Sequence, residues 1–363
     1  MKIGILGGGQ LARMLAISGY PLGLEFVVLD PSRDACSGVL ATQIVGAYDD
    51  QEKLEQFAQL VDIVTYEFEN VPAESVRYLT DRVAVYPSPD ALAVSRDRLS
   101  EKSMFRELGI DTPLFSAVNS LEDLHKAVLK TGLPAILKTR TLGYDGKGQV
   151  VLRDQNDLSG ALEKLNNVPC ILEGFVPFTR EVSIIAARSL TGETAFYPIS
   201  QNVHTNGILH LSESTVNDPM QSIAEKYSRL LLDQMNYVGV LALELFDSNG
   251  TLLANEIAPR VHNSGHWTID GAHTSQFENH LRAILGLPLG DTSARCNSAM
   301  VNFVGQVPEI PEVLSIKGVH FHDYGKKPRA GRKVGHGTVC LENENEYKES
   351  LNKLLALVEP TNS

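Results

Sequence analysis

Short apolar runs alternate with amphipathic stretches through the first part of the chain. KIGIL, EFVVLD, IVTYEF and VAVYP read as buried strands, while QLARMLAISGY and QEKLEQFAQL carry apolar residues at helical spacing. That alternation predicts a parallel sheet with crossover helices. The proline-bearing YPSPDAL closes this unit, and the pattern then changes. A helix, RLSEKSMFREL, ends at Gly109; PAILKT leads into the glycine loop RTLGYDGKGQ and a strand, VVL. Another helix is expected before CILEGFV, followed by a long strand from REVSIIAARS, a strand around GILHLSE, and a long helix from Pro219 to Met235. These later sheets read as largely antiparallel. From residue 296, short strands (AMVNFVG, GVHFHDY, HGTVCL) flank a basic turn and precede a terminal helix, EYKESLNKLLALV. The division is 1–97, 98–295 and 296–363: an α/β unit, an α+β unit and a small β-rich element.

Composition narrows the class. A chain of 363 residues is long enough for two or three domains, and 43% hydrophobic with 21% charged residues fits a soluble globular protein. The net charge of −12 argues against non-specific nucleic-acid or anionic-membrane partners, so an anionic ligand needs a local basic cluster. Cys36, Cys170, Cys296 and Cys340 are far apart with no CxxC pair, which argues against a zinc site or a disulfide framework and suits a reducing compartment. No signal-peptide pattern or membrane-length apolar run is evident, and a cytoplasmic protein is expected.

Three constellations carry candidate chemistry. Gly7-x-Gly9-x-x-Ala12 after the first strand, with Asp30 ending the second, matches a dinucleotide fingerprint. A packing turn, or a turn for another ligand, accounts for the same glycines, and the rest of the chain lacks a second dinucleotide half. In the loop from Thr141 to Gln149, Gly143, Gly146 and Gly148 allow backbone N–H groups to approach phosphate oxygens, with Lys138 supplying charge nearby. It is not a Walker loop, and a plain hairpin tip remains an alternative. In VLALELFDSNGTLLANEIAPR, alternation sets Glu244 and Glu256 on two strands joined by SNG. A three-residue loop places them opposite each other; a strict two-residue Asn-Gly turn pairs Glu244 with Asn255 instead. Like charges opposed on apolar strands call for a cation, and hard oxygens beside a phosphate loop suit Mg²⁺ (or Mn²⁺). The alternative is an exposed rim pair. Asn255 joins that face only if the strand bulges.

The basic turn YGKKPRAGRKVGH gathers Lys326, Lys327, Arg329, Arg332 and Lys333 in an acidic protein. It reads either as a solvated loop or as a phosphate-capturing surface, with Arg260 and His262 as collaborators.

The glycine loop after PAILKT, the paired glutamates and APRVHNSGHWT together resemble the ATP-grasp superfamily. Within it, GGGQLARM, YEFENVP, RTLGYDGKGQ, NEIAPRVHNSGHWT and YGKKPRAGRKVGH are similar, in order over nearly the whole chain, to the N5-carboxyaminoimidazole ribonucleotide synthetases. Ala12, Leu142 and Lys147 depart from the glycine, glycine and arginine common there. The resemblance implies a Rossmann-like pre-ATP-grasp domain, a two-lobed ATP-grasp domain and a C-terminal element completing the site. It implies ATP contacts from Arg98, Lys138 and the loop Gly143, Tyr144, Asp145, Gly146, Lys147, Gly148 and Gln149. An adenine hinge at Glu173, Gly174, Phe175 and Val176, ribose contact by Glu181, and a pocket lined by His204 and Asn255 follow in the same way. Glu244 and Glu256 become the metal ligands. Gln10, Glu67, Arg260, His262, Lys326, Arg332 and Lys333 become the ribonucleotide site, and Tyr144, Asp145 and Lys147 the catalytic candidates. The substrates implied are ATP, bicarbonate and 5-aminoimidazole ribonucleotide, and the assembly implied is a homodimer. Three rivals stand beside this: a formate-dependent ribonucleotide formyltransferase, an NAD-dependent oxidoreductase, and a non-catalytic ATP-binding regulator.

Overall fold

The computed structural model describes residues 1–143 and 147–358. Its first unit is a five-stranded parallel sheet built from β1 (Lys2–Leu6), β2 (Glu25–Asp30), β3 (Thr42–Val45), β4 (Ile63–Tyr66) and β5 (Ala84–Val85), in the order β3-β2-β1-β4-β5. Helices α1 (Gln10–Gly19), α2 (Gln51–Ala58), α3 (Ala73–Thr80) and α4 (Pro89–Ser95) complete it. Strand order reverses at β1, so the glycine turn after β1 and the acidic segment after β4 meet at the carboxyl edge, where such sheets form a crevice.

That crevice is filled from within. Helix α1 has no side-chain cap of its own. Glu67 supplies one from across the sheet, accepting from Gly9 N at 2.5 Å and from Ala12 N at 3.0 Å. Asp30 accepts from Gly8 N at 2.8 Å. The amides and the acid that would serve a dinucleotide are therefore occupied by each other. The glycines follow from this closeness: Gly7 sits at φ +101, and a Cβ there would lie 2.5 Å from Glu67 Cγ. Gly7→Ala is expected to cost about 3 kcal/mol through left-handed strain and overpacking. Denaturant unfolding of the variant tests this; an unchanged midpoint would mean the turn relaxes freely.

The second sheet is antiparallel, ordered β6-β9-β7-β8, from β6 (Phe115–Val118), β7 (Ala135–Thr139), β8 (Gln149–Leu152) and β9 (Cys170–Gly174). Helix α6 (Leu121–Thr131) covers this sheet, with Leu124, Ala127 and Val128 in its core, while α5 (Arg98–Glu107) precedes it and buries Met104 and Phe105 in the core of the large sheet. The helix expected before β9 is instead two short 3₁₀ turns, Gln155–Leu158 and Glu163–Leu165. Gly160 at φ +74 separates them, and Asn166 and Asn167 take left-handed backbone just after. No α-helix continues through such residues.

The third sheet has nine strands: β10 (Arg180–Arg188), β11 (Thr194–Phe196), β12 (Ser200–Thr205), β13 (Ile208–Ser214), β14 (Gly239–Ser248), β15 (Thr251–Ala258), β16 (Asn297–Val304), β17 (Val319–Asp323) and β18 (Lys333–Leu341). Its path runs β15-β14-β10-β12-β13-β16-β18-β17, with β11 paired to β10, and every pairing is antiparallel. Helices α7 (Gln221–Gln234), α8 (Thr268–Gly271), α9 (Gln276–Ile284), α10 (Ile310–Leu314) and α11 (Glu344–Val358) pack around it. The C-terminal strands thus extend the large sheet and seal their own core with α11 through Val301, Phe303, Tyr347 and Leu354. A continuous core joins the first unit to this sheet: Ile3, Leu15 and Phe26 pack with Ile185, Val240, Phe277 and Leu281. His280 bridges the same boundary, accepting from Val240 N at 3.1 Å through Nδ1 and meeting Thr65 Oγ1 at 2.8 Å through Nε2.

One expectation is overturned. Cys296 and Cys340 form a disulfide with Cα atoms 5.7 Å apart, while Cys36 and Cys170 are free. Antiparallel pairing of β16 with β18 brings together two cysteines separated by 44 positions, so sequence spacing held no signal. Among the described residues, no helix is long and apolar enough to cross a membrane.

Candidate active site

The hairpin β14–β15 turns through Asn249 and Gly250, both at positive φ, between the paired residues Ser248 and Thr251. This is the strict two-residue turn, yet Glu244 still faces Glu256. The register shifts after Leu245↔Ala254, so Asn255 is the extra residue of a β-bulge. Asn255 Oδ1 is buried with no hydrogen-bond partner. Two carboxylates on opposed positions, with an unpartnered amide oxygen between them in sequence, form a hard-oxygen donor set that fits Mg²⁺. Among the described residues, no group of three or more His, Cys, Asp or Glu gathers as a protein-only metal site. A metal held by two carboxylates and completed by phosphate and water has no need of one.

A buried charge cluster lies against that pair. Arg98 Nη1 donates to Glu256 Oε2 at 2.6 Å. Lys138 Nζ donates to Glu173 Oε2 at 3.0 Å, and Lys102 Nζ lies 3.5 Å from the same oxygen. Burial works against the Glu173 carboxylate, but Lys102 and Lys138 outweigh it and hold its pKa at about 2. For Glu256, burial is likewise outweighed by Arg98, and its pKa also sits at about 2. Burial, reinforced by Glu256, raises the Glu101 carboxyl instead. Glu69, Asn70, Arg98, Leu142, Gly143 and Glu256 line a cavity between the first unit, α5, the glycine loop and β15.

The loop itself shows why glycine matters there. Gly148 sits at φ +74, where a Cβ would lie 2.8 Å from Thr139 Oγ1. Leu142 adopts φ +64 without being glycine, at a cost of about 1–2 kcal/mol. Tyr144, Asp145 and Gly146 lie outside the described residues. Lys147 and Gln149 follow, Gln149 opening β8 opposite Lys138.

On the hinge, Gly174 N donates to Leu114 O at 2.8 Å and Phe175 N to Pro134 O at 3.1 Å. These two amides are engaged, and Val176 O accepts from Phe178 N at 3.0 Å. Glu173 enters through its side chain, not only its backbone. Glu181 Oε2 and His204 Nδ1 lie 2.7 Å apart, at the point where β13 bulges by one residue, His210, opposite Val203 and His204. Burial lowers the His204 pKa, but Glu181 outweighs it and the net shift is upward.

His262 is held in one tautomer. Its Nδ1 accepts from Ser264 N at 3.3 Å and lies 2.8 Å from Ser264 Oγ, which itself accepts from Ser183 Oγ at 2.7 Å. Nδ1 is therefore the acceptor and Nε2 carries the hydrogen, 3.0 Å from Glu244 Oε1. Asn202 and Ser212 extend this buried chain beneath the sheet.

At the other end, the basic turn meets the glycine turn. Lys326 Nζ donates to Gln10 Oε1, and Glu67 is near enough to favour the lysine's charge although burial lowers its pKa. Arg332 and Lys333 are within electrostatic reach of Lys326. Arg260 Nε donates to Glu69 Oε2 at 2.6 Å, joining the two ends. Glu69, Glu101 and Lys102 were not singled out in the sequence. Glu69 stands two residues beyond Glu67 in the same YEFENVP motif, which was the available signal. Glu101 and Lys102 lie on the helix RLSEKSMFREL, where no pattern sets their charges apart from the others.

Two antiparallel sheets closing on a lysine, a glycine loop and paired carboxylates place the chain in the ATP-grasp class. A family profile described as the ATP-grasp domain matches residues 103–277. Others described as the ribonucleotide synthetase preATP-grasp domain and the phosphoribosylaminoimidazole carboxylase C-terminal domain match 1–96 and 298–350. The chain is 55% identical over 359 residues to the N5-carboxyaminoimidazole ribonucleotide synthase of Pseudomonas aeruginosa, covering 99% of this chain and 100% of that one. It superposes on the Thermus thermophilus synthetase with TM-score 0.95 and 51% identity, over 99% of each chain. The Aspergillus clavatus enzyme in complex with ADP and 5-aminoimidazole ribonucleotide matches with TM-score 0.91 and 30% identity, over 99% of this chain and 98% of that one. The chain belongs to the N5-carboxyaminoimidazole ribonucleotide synthase family.

Proposed function

We propose that this chain carboxylates 5-aminoimidazole ribonucleotide on its exocyclic amine, using ATP and bicarbonate and releasing ADP and phosphate, in purine biosynthesis. The observation that carries the reading is the bulge that sets Glu256 opposite Glu244 beside Arg98, together with the Lys326–Gln10 contact that joins the basic turn to the glycine turn. Segments 1–97, 98–295 and 296–363 supply the ribonucleotide turn, the ATP lobes and the closing element.

Bicarbonate is a poor electrophile, so one of its oxygens attacks the γ-phosphorus and ADP leaves, giving carboxyphosphate. Its collapse releases CO₂ and phosphate; the amine attacks CO₂ and loses a proton. Magnesium, held by Glu244 and Glu256 with Asn255 alongside, would supply charge neutralisation at the transferring phosphoryl group. Arg98 and Lys138 hold the ATP phosphates, with the loop Gly143 to Gln149 over them. Val176 and its neighbours in the hinge meet adenine, Glu181 the ribose and His204 the pocket wall. Arg260 and His262 join the basic turn in capturing the ribonucleotide's phosphate. Gln10, Lys326, Arg332 and Lys333 take the ribonucleotide, and Glu67 acts through the turn it caps. Tyr144 and Asp145 are the candidates for handling the amine proton, with Lys147 the further catalytic candidate of the same loop. The protein works as a cytoplasmic homodimer.

ADP release from Mg·ATP tests the reading, with and without the ribonucleotide, in bicarbonate-supplemented and bicarbonate-depleted buffer. Stimulation by the ribonucleotide, with carboxylated product only in bicarbonate, is expected. Stimulation that follows formate instead would move the activity to a formyltransferase. Tight Mg·ATP binding without turnover would leave a regulator.

A further inference from the structure

The bulge that assembles the carboxylate pair is not explained by its own hairpin. Continuing from Leu245↔Ala254 in regular register, Glu244 would face Asn255, and Glu256 would turn to the opposite side of the sheet, because side chains alternate. Something must hold the backbone out of that register. β15 also ends its sheet, so the N–H and C=O groups on its outer edge have no strand partner, and buried ones need others.

Helix α5 supplies them. Lys102 Nζ donates to Ala254 O at 3.0 Å, just before the bulge. Ile257 N donates to Glu101 Oε1 at 2.7 Å, just after it. Arg98 reaches the Glu256 carboxylate between them. Residues 98, 101 and 102 stand at i, i+3 and i+4, on one helix face. Beyond the helix, Asp111 O accepts from Ala254 N at 2.7 Å. Glu101 and Lys102 are 1% and 0% exposed. Buried charges are costly, and mere packing at these positions would be met by apolar side chains of the same size. Lys102 reaches further, lying 3.5 Å from Glu173 on the hinge strand.

We propose that Glu101 and Lys102 are positioning residues that clamp the backbone on either side of Asn255–Glu256 and so fix the register that sets Glu256 opposite Glu244. The clamp acts through main-chain atoms. Glu101 serves as an acceptor for Ile257 N–H and Lys102 as a donor to Ala254 C=O. This rests on Glu244 and Glu256 being the metal-binding pair.

The test titrates Mn²⁺ against the protein in the presence of ADP, reading free Mn²⁺ by its EPR signal, with thermal unfolding of each metal-free variant alongside. Glu101→Ala and Lys102→Met are expected to weaken Mn²⁺ binding by about tenfold or more, the range seen when the support of a metal ligand is removed. Glu101→Gln, which keeps the acceptor oxygen, is expected to stay within about threefold of the parent. Parent affinity in Glu101→Ala and Lys102→Met, with only the melting temperature lowered, overturns the clamp. So does a Glu101→Gln variant as weak as Glu101→Ala, because the charge and not the acceptor would then matter. If Lys102→Met does not fold, the two Glu101 variants decide between these results alone. Glu256→Gln is the control: unchanged Mn²⁺ affinity there removes the metal reading itself, whereas a loss there without one in Glu101→Ala removes the clamp alone.

Discussion

Replacing Glu256 with glutamine is expected to lower ribonucleotide-stimulated ADP release by about 10²–10³-fold, the loss typical when a charge-stabilising contact is removed from a reacting centre. Glutamine keeps the shape and an acceptor oxygen for Arg98, so the fold is expected to survive with a modest loss of stability. The negative charge is what disappears. Arg98 then carries an uncompensated charge in the cavity wall, and Glu244 is left as the lone carboxylate of the pair. Glu256→Asp, which keeps the charge on a shorter arm, should recover part of the rate. A steady-state assay at saturating Mg·ATP settles it, and a Glu256→Gln rate within tenfold of the parent would remove Glu256 from the reaction. The pH dependence adds an independent check. Burial opposes the Glu256 carboxylate, but Arg98 outweighs it and holds the pKa at about 2. A carboxylate depressed in this way stays ionised above its unfolded value, so between about pH 5 and 9 its charge does not change. Parent and variant profiles should therefore run parallel on the acid side of that window, whereas towards about pH 8 they diverge because the Glu101 carboxyl, raised by burial and by Glu256, titrates there in the parent. Convergence as the pH falls towards 5 would mean that Glu256 titrates there.

Legibility differed along the chain for physical reasons. Strands β1, β2 and β4 are buried on both faces and read as apolar runs, so the parallel sheet was visible in the sequence. Strand β3, TQIV, has a single buried residue and gave no such run. The need for glycine at positions 7 and 9 was visible, but not what fills the space, because Glu67 arrives from a strand about sixty residues away. The facing of Glu244 and Glu256 was visible as one of two registers. The choice between them depends on α5, which no reading of the hairpin alone contains. The actual turn is the two-residue one, and the bulge restores the pair that this turn would have broken. Glu101, Lys102 and Glu69 were missed for a related reason: a charge on a helix or loop reads as solvated until the element it packs against is known. The same holds for Cys296 and Cys340, whose pairing is a property of the β16–β18 register. Local pattern revealed elements and their chemistry; long-range register decided which chemistry meets.

Glu173→Ala is expected to cost about 3–5 kcal/mol of stability, because it leaves Lys102 and Lys138 buried beside each other without the carboxylate that compensates both. Glu173→Gln should cost less, since its amide oxygen still accepts from Lys138. The effect carries a definite pH signature. The folded pKa of about 2 lies below the unfolded value of about 4.3, so ionised Glu173 contributes its full stability above about pH 4.3 and loses it as pH falls towards 2. By linkage the amount is about 3 kcal/mol. Lys102 runs the other way: burial lowers its pKa, so its charged form costs stability at low pH and is relieved as pH rises. The pair therefore gains less in total than the carboxylate alone suggests, and the difference between parent and Glu173→Gln isolates the carboxylate. Urea unfolding of both at about pH 7 and about pH 3 measures it, and the gap should shrink on acidification. A gap unchanged between those conditions would mean that Glu173 is not held by the lysines. Function should follow the same geometry. Without Glu173, mutual repulsion is expected to move the Lys138 ammonium from the position proposed to hold the ATP phosphates. The KM for Mg·ATP should then rise by a larger factor than kcat falls, since a misplaced phosphate lysine weakens ground-state binding as well as the transition state.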